Sequence, residues 1–268
     1  MRALGQRMLR PQRSQLPDTH TFPRFAKTPL TCSYSISHLT MSKIVPDSTP
    51  YLTMTETHSI GGKDYQIQSL KDRRQYYDPN NEAGRANISS ASWPLFGQVW
   101  PAGLILADIM CRQNIEGLRI LELGCGLGIA SMIATERGAQ ITATDHHPTA
   151  QTFMAHNSFI NKIHATQFSL CDWTDVETNF GLFDLIIGSD LLYEAEHPEL
   201  LCEFIHRHCE TTSNIIMVDG GRKFGGKFNR RMEAKGFSSN TDIPNKVFYA
   251  SLGFKGKVMR YNRDTLAV

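Results

Sequence analysis

The chain has 268 residues, 41% of them hydrophobic and 20% charged, which is typical of a globular protein with one substantial core. A net charge of +2 and a pI of about 8.2 do not indicate a surface that coats nucleic acid, and no apolar run reaches the ~18 residues needed to span a membrane. The six cysteines form no C-x-x-C pair and the ten histidines show no ligand spacing, which predicts a reducing, cytoplasmic compartment without disulfides or a metal site.

Residues 1–45 differ in composition from the rest of the chain. They carry seven basic residues against the single acid Asp18, with many serines, threonines and prolines. This composition resembles an organelle transit peptide, but it also suits an upstream extension of a chain that starts at Met41 or Met54. The prolines break any long amphipathic helix. We expect a disordered extension without function and a cytoplasmic protein.

A single domain is expected over residues 51–268, and it begins with a β-hairpin. Tyr51–Ile60 and Lys63–Leu70 both alternate weakly between polar and apolar residues, and the Gly-Gly pair between them predicts a two-residue turn. The polar stretch 71–92 that follows predicts a loop. It is also a candidate lid over a ligand cleft, ahead of the catalytic core at 93–268.

A helix is predicted at the start of this core. Pro101 suits a first helical turn, and apolar residues follow at helical spacing as far as Cys111. Trp100 stands immediately before that turn, where it is either a packing residue or one wall of a ligand site.

The next segment predicts a strand, a glycine turn, a helix and a second strand. Arg119–Leu123 is a short apolar run, and Gln140–Thr144 is a second strand that leads into Asp145. The glycines between them are Gly124, Gly126 and Gly128. Such a turn lets the backbone approach a nucleoside ligand, while an acid after the second strand can accept hydrogen bonds from both ribose hydroxyls.

The glycine spacing distinguishes two classes of cofactor. A dinucleotide site requires G-x-G-x-x-G, but residue 129 is Ile, and Glu122 would repel a pyrophosphate. The same carboxylate suits a cationic amino group. The motif E-L-G-C-G-L-G resembles the first motif of the seven-strand methyltransferases, which implies that S-adenosylmethionine is the cofactor. The alternative is a glycine-rich turn in some other α/β domain.

Strands and helices continue to alternate to the end of the chain. The predicted strands are 166–170, 183–188, 214–218, 237–242, 247–252 and 257–261, and the predicted helices are 148–160, 196–208 and 225–235. This pattern predicts an α/β fold with a mostly parallel sheet, helices on both faces and one antiparallel terminal strand. With the resemblance of the first motif, it implies a Rossmann-like class I methyltransferase fold with a seven-strand sheet and the antiparallel strand near the C-terminus.

Three acids follow predicted strands and should converge on one cleft, since ligands of such sheets bind beyond the carboxyl ends of the strands: Asp145, Asp172 and Asp190. Asp172 could accept a hydrogen bond from an adenine amino group, and Trp173 offers a flat wall for the ring. The alternative is a turn acid beside a core tryptophan, and which of the two contacts adenine stays open. Ser189 is a candidate cofactor contact or helix cap.

The tetrapeptide Asp190-Leu191-Leu192-Tyr193 replaces the prolines of the N/D-P-P-Y motif found in methyltransferases that act on planar nitrogens. Together with V-W-P-A-G and E-L-G-C-G-L-G, this D-x-x-Y pattern resembles the family-16 protein lysine methyltransferases over residues 93–210. The sequence C-D-W-T-D departs from the family's usual L-x-W-G.

This resemblance implies transfer of a methyl group from S-adenosylmethionine to a protein side-chain nitrogen, most often lysine. Asp190 would orient the amine, Tyr193 would line the transfer channel, and Trp100 would close over the methionine end of the cofactor. We expect a monomer that acts on a protein partner. Without the proline pair or a basic stripe, nucleic acid is not the expected substrate.

Two alternatives remain on the same fold: a small-molecule N- or O-methyltransferase, and a cofactor-binding interaction module without activity. The intact Glu122, glycine turn, Asp145 and Asp190 argue against loss of activity.

Overall fold

The computed structural model describes residues 50–242 and 246–263, and this part of the chain folds into nine strands, seven α-helices and one 3₁₀ helix. The strands are β1 (Thr53–Ile60), β2 (Lys63–Leu70), β3 (Arg119–Leu123), β4 (Gln140–Asp145), β5 (Gln167–Leu170), β6 (Phe183–Ser189), β7 (Cys209–Asp219), β8 (Ser238–Asp242) and β9 (Lys257–Arg263). The helices are α1 (Glu82–Arg85), α2 (Pro101–Arg112), α3 (Ile129–Glu136), α4 (Ala150–Ile160), α5 (His197–His208), α6 (Gly225–Ala234) and α7 (Lys246–Ser251), and the 3₁₀ helix is Trp93–Gly97. Within these residues no helix is both long and apolar enough to cross a membrane.

Seven of the strands form one sheet in the order β5-β4-β3-β6-β7-β9-β8. The first five in this order pair in parallel, whereas β9 runs antiparallel to both β7 and β8. The predicted seven-strand, mostly parallel sheet is therefore confirmed. The chain reverses its direction across the sheet between β3 and β6, which is the switch point where ligands bind in open α/β sheets.

The core lies on both faces of this sheet. Successive residues of a strand point to opposite faces, and the central strands carry apolar residues on both. Ile120 and Ile187 pack with α2 and α3 in one hydrophobic cluster, while Leu121 and Ile186 pack with α5 and α6 in the other. Helices on both faces are thus required to exclude water from the strands.

The predicted strand at 247–252 is wrong, since this segment contains helix α7. A short apolar run has no period that separates a strand from a buried helix. Tyr249 is buried in the core, and Gly253 at φ +68° follows the last turn of the helix. The N–H of Gly253 donates to the carbonyl of Ala250, and that of Phe254 donates to the carbonyl of Tyr249. These hydrogen bonds and the left-handed glycine form a C-terminal cap that ends the helix.

The predicted N-terminal hairpin is confirmed, and two asparagines of α4 attach it to the domain. The β2 strand pairs with β1 on one edge only. On its other edge, the amide of Asn161 accepts from Gln66 N–H at 2.9 Å and donates to Gln66 O at 2.7 Å. Asn157 bonds Gln68 in the same way and also donates to Leu127 O at 3.2 Å. The asparagines thus supply the hydrogen bonds of a missing strand and join the hairpin to the glycine turn.

The sequence expectation for residues 1–45 lies outside the described residues. The polar stretch 71–92 holds only the short helix α1, and its C-terminal half runs along the cleft described below.

Candidate functional site

A cavity of about 620 Å³ opens at the carboxyl ends of β3, β4 and β6, within the size range of small-molecule sites. Its floor is the turn after β3, and residues 86–89 cover part of it. Ten of the eleven predicted site residues line it: Trp100, Glu122, Gly124, Gly126, Asp145, Asp172, Trp173, Ser189, Asp190 and Tyr193.

The Asp145 carboxylate is fixed by the glycine turn. Gly126 N–H donates to its Oδ2 at 2.7 Å, and His147 N–H donates to its Oδ1 at 2.8 Å. Burial raises the pKa of Asp145, and these backbone donors oppose that shift. Each oxygen keeps a further lone pair, so the group can accept two more hydrogen bonds at the cavity wall, as a ribose requires.

Gly126 permits this arrangement because no side chain fits there. Its φ is +52°, and a Cβ would lie 2.8 Å from the carbonyl oxygen of Phe96. The turn after β3 and the 3₁₀ helix therefore approach each other backbone to backbone.

Glu122 is a buried carboxylate at the floor of the cavity. Ser131 donates its hydroxyl hydrogen to Glu122 Oε2, and burial raises the pKa of Glu122 to about 7. Among the residues that the structure describes, no cation pairs with Glu122, and a buried carboxylate of this kind is suited to bind a cation from a ligand.

The three glycines of the motif have different roles. A Cβ at Gly124 would lie 2.5 Å from Leu191 Cδ2, so this glycine brings the tetrapeptide loop against the turn. Gly128 does not line the cavity; a Cβ there would lie 2.1 Å from Met154 Cγ in α4. Its free side faces α4, which explains the glycine by helix packing, and its predicted ligand contact stays a prediction.

Trp100 and Ser189 both line the cavity. Trp100 precedes α2 and donates its indole N–H to Leu95 O at 3.0 Å, while the Arg73 guanidinium lies 5.7 Å from its ring centroid. Ser189 is the last residue of β6. Both side chains are half-buried, so they can contact a bound ligand and solvent.

Asp172 and Trp173 line the cavity beyond β5. Asp172 Oδ1 accepts hydrogen bonds from the backbone N–H and hydroxyl of Thr174 at 2.8 and 2.7 Å, so part of its capacity stabilises its own turn. Trp173 lies edge to face with His197, with centroids 5.4 Å apart. Their adenine contact stays a prediction.

Asp190 and Tyr193 lie at the opening of the cavity. Asp190 has a left-handed φ of +55° and accepts hydrogen bonds from two guanidinium nitrogens of Arg222, Nε at 3.0 Å and Nη2 at 2.9 Å. Tyr193 is 39% exposed, its ring lies 4.6 Å from that of His197, and burial raises the pKa of its hydroxyl to about 12. Tyr193 is therefore a neutral aromatic wall at physiological pH.

The sequence interpretation missed Arg222, Gln98 and His147, which also line the cavity. Gln98 Nε2 and His147 Nε2 are buried without a hydrogen-bond partner. His147 Nδ1 accepts from Thr149 N–H at 3.1 Å, which leaves its proton on Nε2, and burial lowers the pKa of His147 to about 3. Both residues line the cavity, but these two nitrogens have almost no accessible surface, so they are buried, unpaired donors beside it.

These groups fit S-adenosylmethionine. Glu122 suits its amino group, Asp145 its ribose, and the aromatic wall its adenine. In the described part of the chain, no three histidines, cysteines or acids come together as metal ligands.

A model of the lysine methyltransferase family matches residues 91–235. The protein N-lysine methyltransferase METTL21A of Xenopus tropicalis is 31% identical over 60% of this chain and 78% of its own length. The electron transfer flavoprotein beta subunit lysine methyltransferase of Xenopus laevis is 31% identical over 48% of this chain, and the match spans only about half (53%) of that relative. Among solved structures, the T. thermophilus 16S rRNA methyltransferase RsmC, in complex with AdoMet and guanosine, shares the fold with a TM-score of 0.56 and 15% identity, over 80% of this chain and 52% of its own.

Proposed function

The chain belongs to the lysine methyltransferase family, and on this basis we propose that it transfers a methyl group from S-adenosylmethionine to a lysine side chain of another protein. The observation that carries the proposal is the meeting of two motifs in one cavity. Glu122 and Asp145 form the end that suits an amino acid and a ribose, and Asp190 and Tyr193 form an open end that suits an amine.

The residues of the chain bind, orient and exclude water. Bound S-adenosylmethionine supplies an electrophilic methyl group on a sulfonium, whose C–S bond breaks as the N–C bond forms. A lysine must first lose its proton, since its ordinary pKa is about 10.4 and only the neutral amine has a free lone pair. Tyr193 and Trp100 remove the amine from water, which lowers its pKa, and Asp190 accepts a hydrogen bond that aims it. Catalysis is then mainly a matter of proximity.

The acceptor is a protein because Tyr193 is 39% exposed at the cavity wall, so that a side chain on a large surface can reach it. The electron transfer flavoprotein β subunit is the first acceptor to test, by analogy with the Xenopus laevis relative. The enzyme acts in the cytoplasm, in agreement with five free thiols among the described residues. It acts as a monomer, so light scattering should give a mass near 30.2 kDa.

The decisive experiment uses purified enzyme, tritium-methyl S-adenosylmethionine and a desalted cell extract resolved on a gel, with purified flavoprotein β subunit in a parallel lane. We expect one or a few labelled protein bands that disappear after protease treatment, and label that amino-acid analysis assigns to methyl-lysine. Asp190→Asn should lose transfer yet bind the cofactor within a few fold.

Two results would refute the proposal. Label confined to small molecules of an undesalted extract would identify a small-molecule methyltransferase. Cofactor binding without transfer to any acceptor would identify a binding module.

A further inference from the structure

Arg222 holds the carboxylate of the D-x-x-Y motif at two points. Its Nε donates to Asp190 Oδ1 at 3.0 Å and its Nη2 donates to Oδ2 at 2.9 Å. The Asp190 side chain is only 12% exposed, whereas that of Arg222 is 43% exposed. A two-point bond to a guanidinium fixes the plane of a carboxylate, which a single lysine bond would not do.

The loop after β7 is shaped around this pair. A Cβ at Gly220 would lie 2.6 Å from Asp190 Oδ1, so the carboxylate occupies space that only a glycine leaves. The backbone N–H of Arg222 donates to Asp219 Oδ1 at 3.2 Å, which fixes the backbone position of the arginine. Asp190 N–H donates to Val218 O at 2.8 Å, which holds Asp190 in its left-handed conformation. Four residues between positions 218 and 222, at the end of β7 and in the loop after it, thus determine where the Asp190 carboxylate lies.

The pair also sets the charge that an incoming amine meets. An unpaired Asp190 carboxylate would stabilise a lysine ammonium and raise its pKa, which opposes methyl transfer. Arg222 cancels that charge while leaving lone pairs on both carboxylate oxygens to accept a hydrogen bond. Other charged groups lie near the pair and Tyr193. Asp219 of β7 acts on Arg222, and Lys257 of β9 acts on Asp219. Glu194, directly after the tetrapeptide, and Asp145 of β4 act on Tyr193. Lys257 acts on buried Asp219, so the cation that bonds Asp190 is Arg222.

We propose that Arg222 is a positioning residue of the methyl-transfer site, which neutralises and orients Asp190 so that the target lysine is held as a neutral amine. The inference rests on the proposed lysine methyltransferase function. The ammonium gives its proton to bulk water through the open mouth, and the lone pair that remains on nitrogen forms the new N–C bond. Asp190 then orients the amine and does not act as a base.

The test measures kcat and KM from pH 7 to pH 10, at saturating S-adenosylmethionine, with the acceptor protein identified by the tritium assay. Arg222→Gln removes the charge and keeps a hydrogen-bonding side chain, whereas Arg222→Lys keeps the charge and loses the two-point bond. Arg231→Gln is the matched control, since Arg231 pairs with Glu199 on the surface of α6 and does not line the cavity.

We expect the pH–rate profile of Arg222→Gln to move to higher pH by about 0.5 to 1 unit. The variant lacks a positive charge near the lysine amine, so the pKa of that amine is higher. Arg222→Lys should keep the wild-type profile with kcat lowered about tenfold, and Arg231→Gln should match the wild type. Cofactor affinity, measured by calorimetry, should change less than threefold in all three.

The outcomes separate the inference from the function. If the wild-type protein transfers label but the Arg222→Gln profile coincides with it, or cofactor affinity falls in step with kcat, Arg222 has a structural or cofactor-binding role and the inference is wrong. If the wild-type protein labels no acceptor at any pH, the proposed function fails and the inference fails with it.

Discussion

Replacement of Gly126 by alanine should damage both the fold and the cofactor site. At φ +52°, an alanine costs about 1–2 kcal/mol of conformational energy. The new Cβ would also lie 2.8 Å from the Phe96 carbonyl oxygen, which is backbone and cannot rotate away. Overpacking of this kind adds about 1–3 kcal/mol, so we expect a loss of about 2–5 kcal/mol in the free energy of unfolding.

Gly253→Ala separates the two costs. Gly253 has a similar φ of +68°, but a Cβ there would meet no atom within 4 Å. This variant should therefore lose only the conformational cost, about 1–2 kcal/mol. Urea denaturation followed by circular dichroism gives both values, and calorimetry with S-adenosylmethionine should show weaker binding for Gly126→Ala alone, since Gly126 N–H holds Asp145. Equal losses of stability in the two variants would refute the close approach of the turn to the 3₁₀ helix.

Three further predictions concern the cavity and the core. Asp145→Ala should weaken S-adenosylmethionine binding by about 1–3 kcal/mol in calorimetry, because ribose hydroxyls lose their acceptor; unchanged affinity would contradict the ribose contact. Since the Glu122 pKa is raised to about 7, wild-type affinity should rise about tenfold between pH 6 and pH 8 as Glu122 ionises, while Glu122→Gln should show no such rise. Phe228→Ala, at a fully buried site, should lower the free energy of unfolding by about 3–5 kcal/mol in urea denaturation, and a loss below 1 kcal/mol would contradict its burial.

Local sequence patterns predicted most of the sheet, because its strands are short apolar runs and the segments around them are turns or have the spacing of helices. β3 and β6 are short apolar runs bounded by glycine or acids, and their predicted positions agree with the structure within one residue. Helix α7 was mistaken for a strand because its six residues show neither period clearly. Its conformation depends on burial of Tyr249 and on Gly253, which are tertiary and terminal effects.

The candidate site was predictable where its residues are contiguous or follow a strand. Asp145 and Glu122 flank one motif, and parallel strands bring their carboxyl ends to the same edge. Gln98 and His147 were not predictable, since only the packing of the 3₁₀ helix against the end of β4 brings both residues to the wall of one cavity. No spacing along the chain reports that contact.

Gly126 and Gly220 illustrate why one part of the site was found and another was missed. Each glycine leaves room for an oxygen that a different segment places in the site: the Phe96 carbonyl at Gly126 and the Asp190 carboxylate at Gly220. The distances are 2.8 and 2.6 Å, but the Phe96 carbonyl is backbone and cannot move aside, whereas the Asp190 carboxylate ends a side chain that Arg222 holds in place. Gly126 belongs to a recognisable motif, whereas Gly220 lies thirty residues after the acid it accommodates. Which of the two could be predicted from the sequence therefore follows contiguity along the chain, and the loop from Gly220 to Arg222 belongs to the same site as the D-x-x-Y motif.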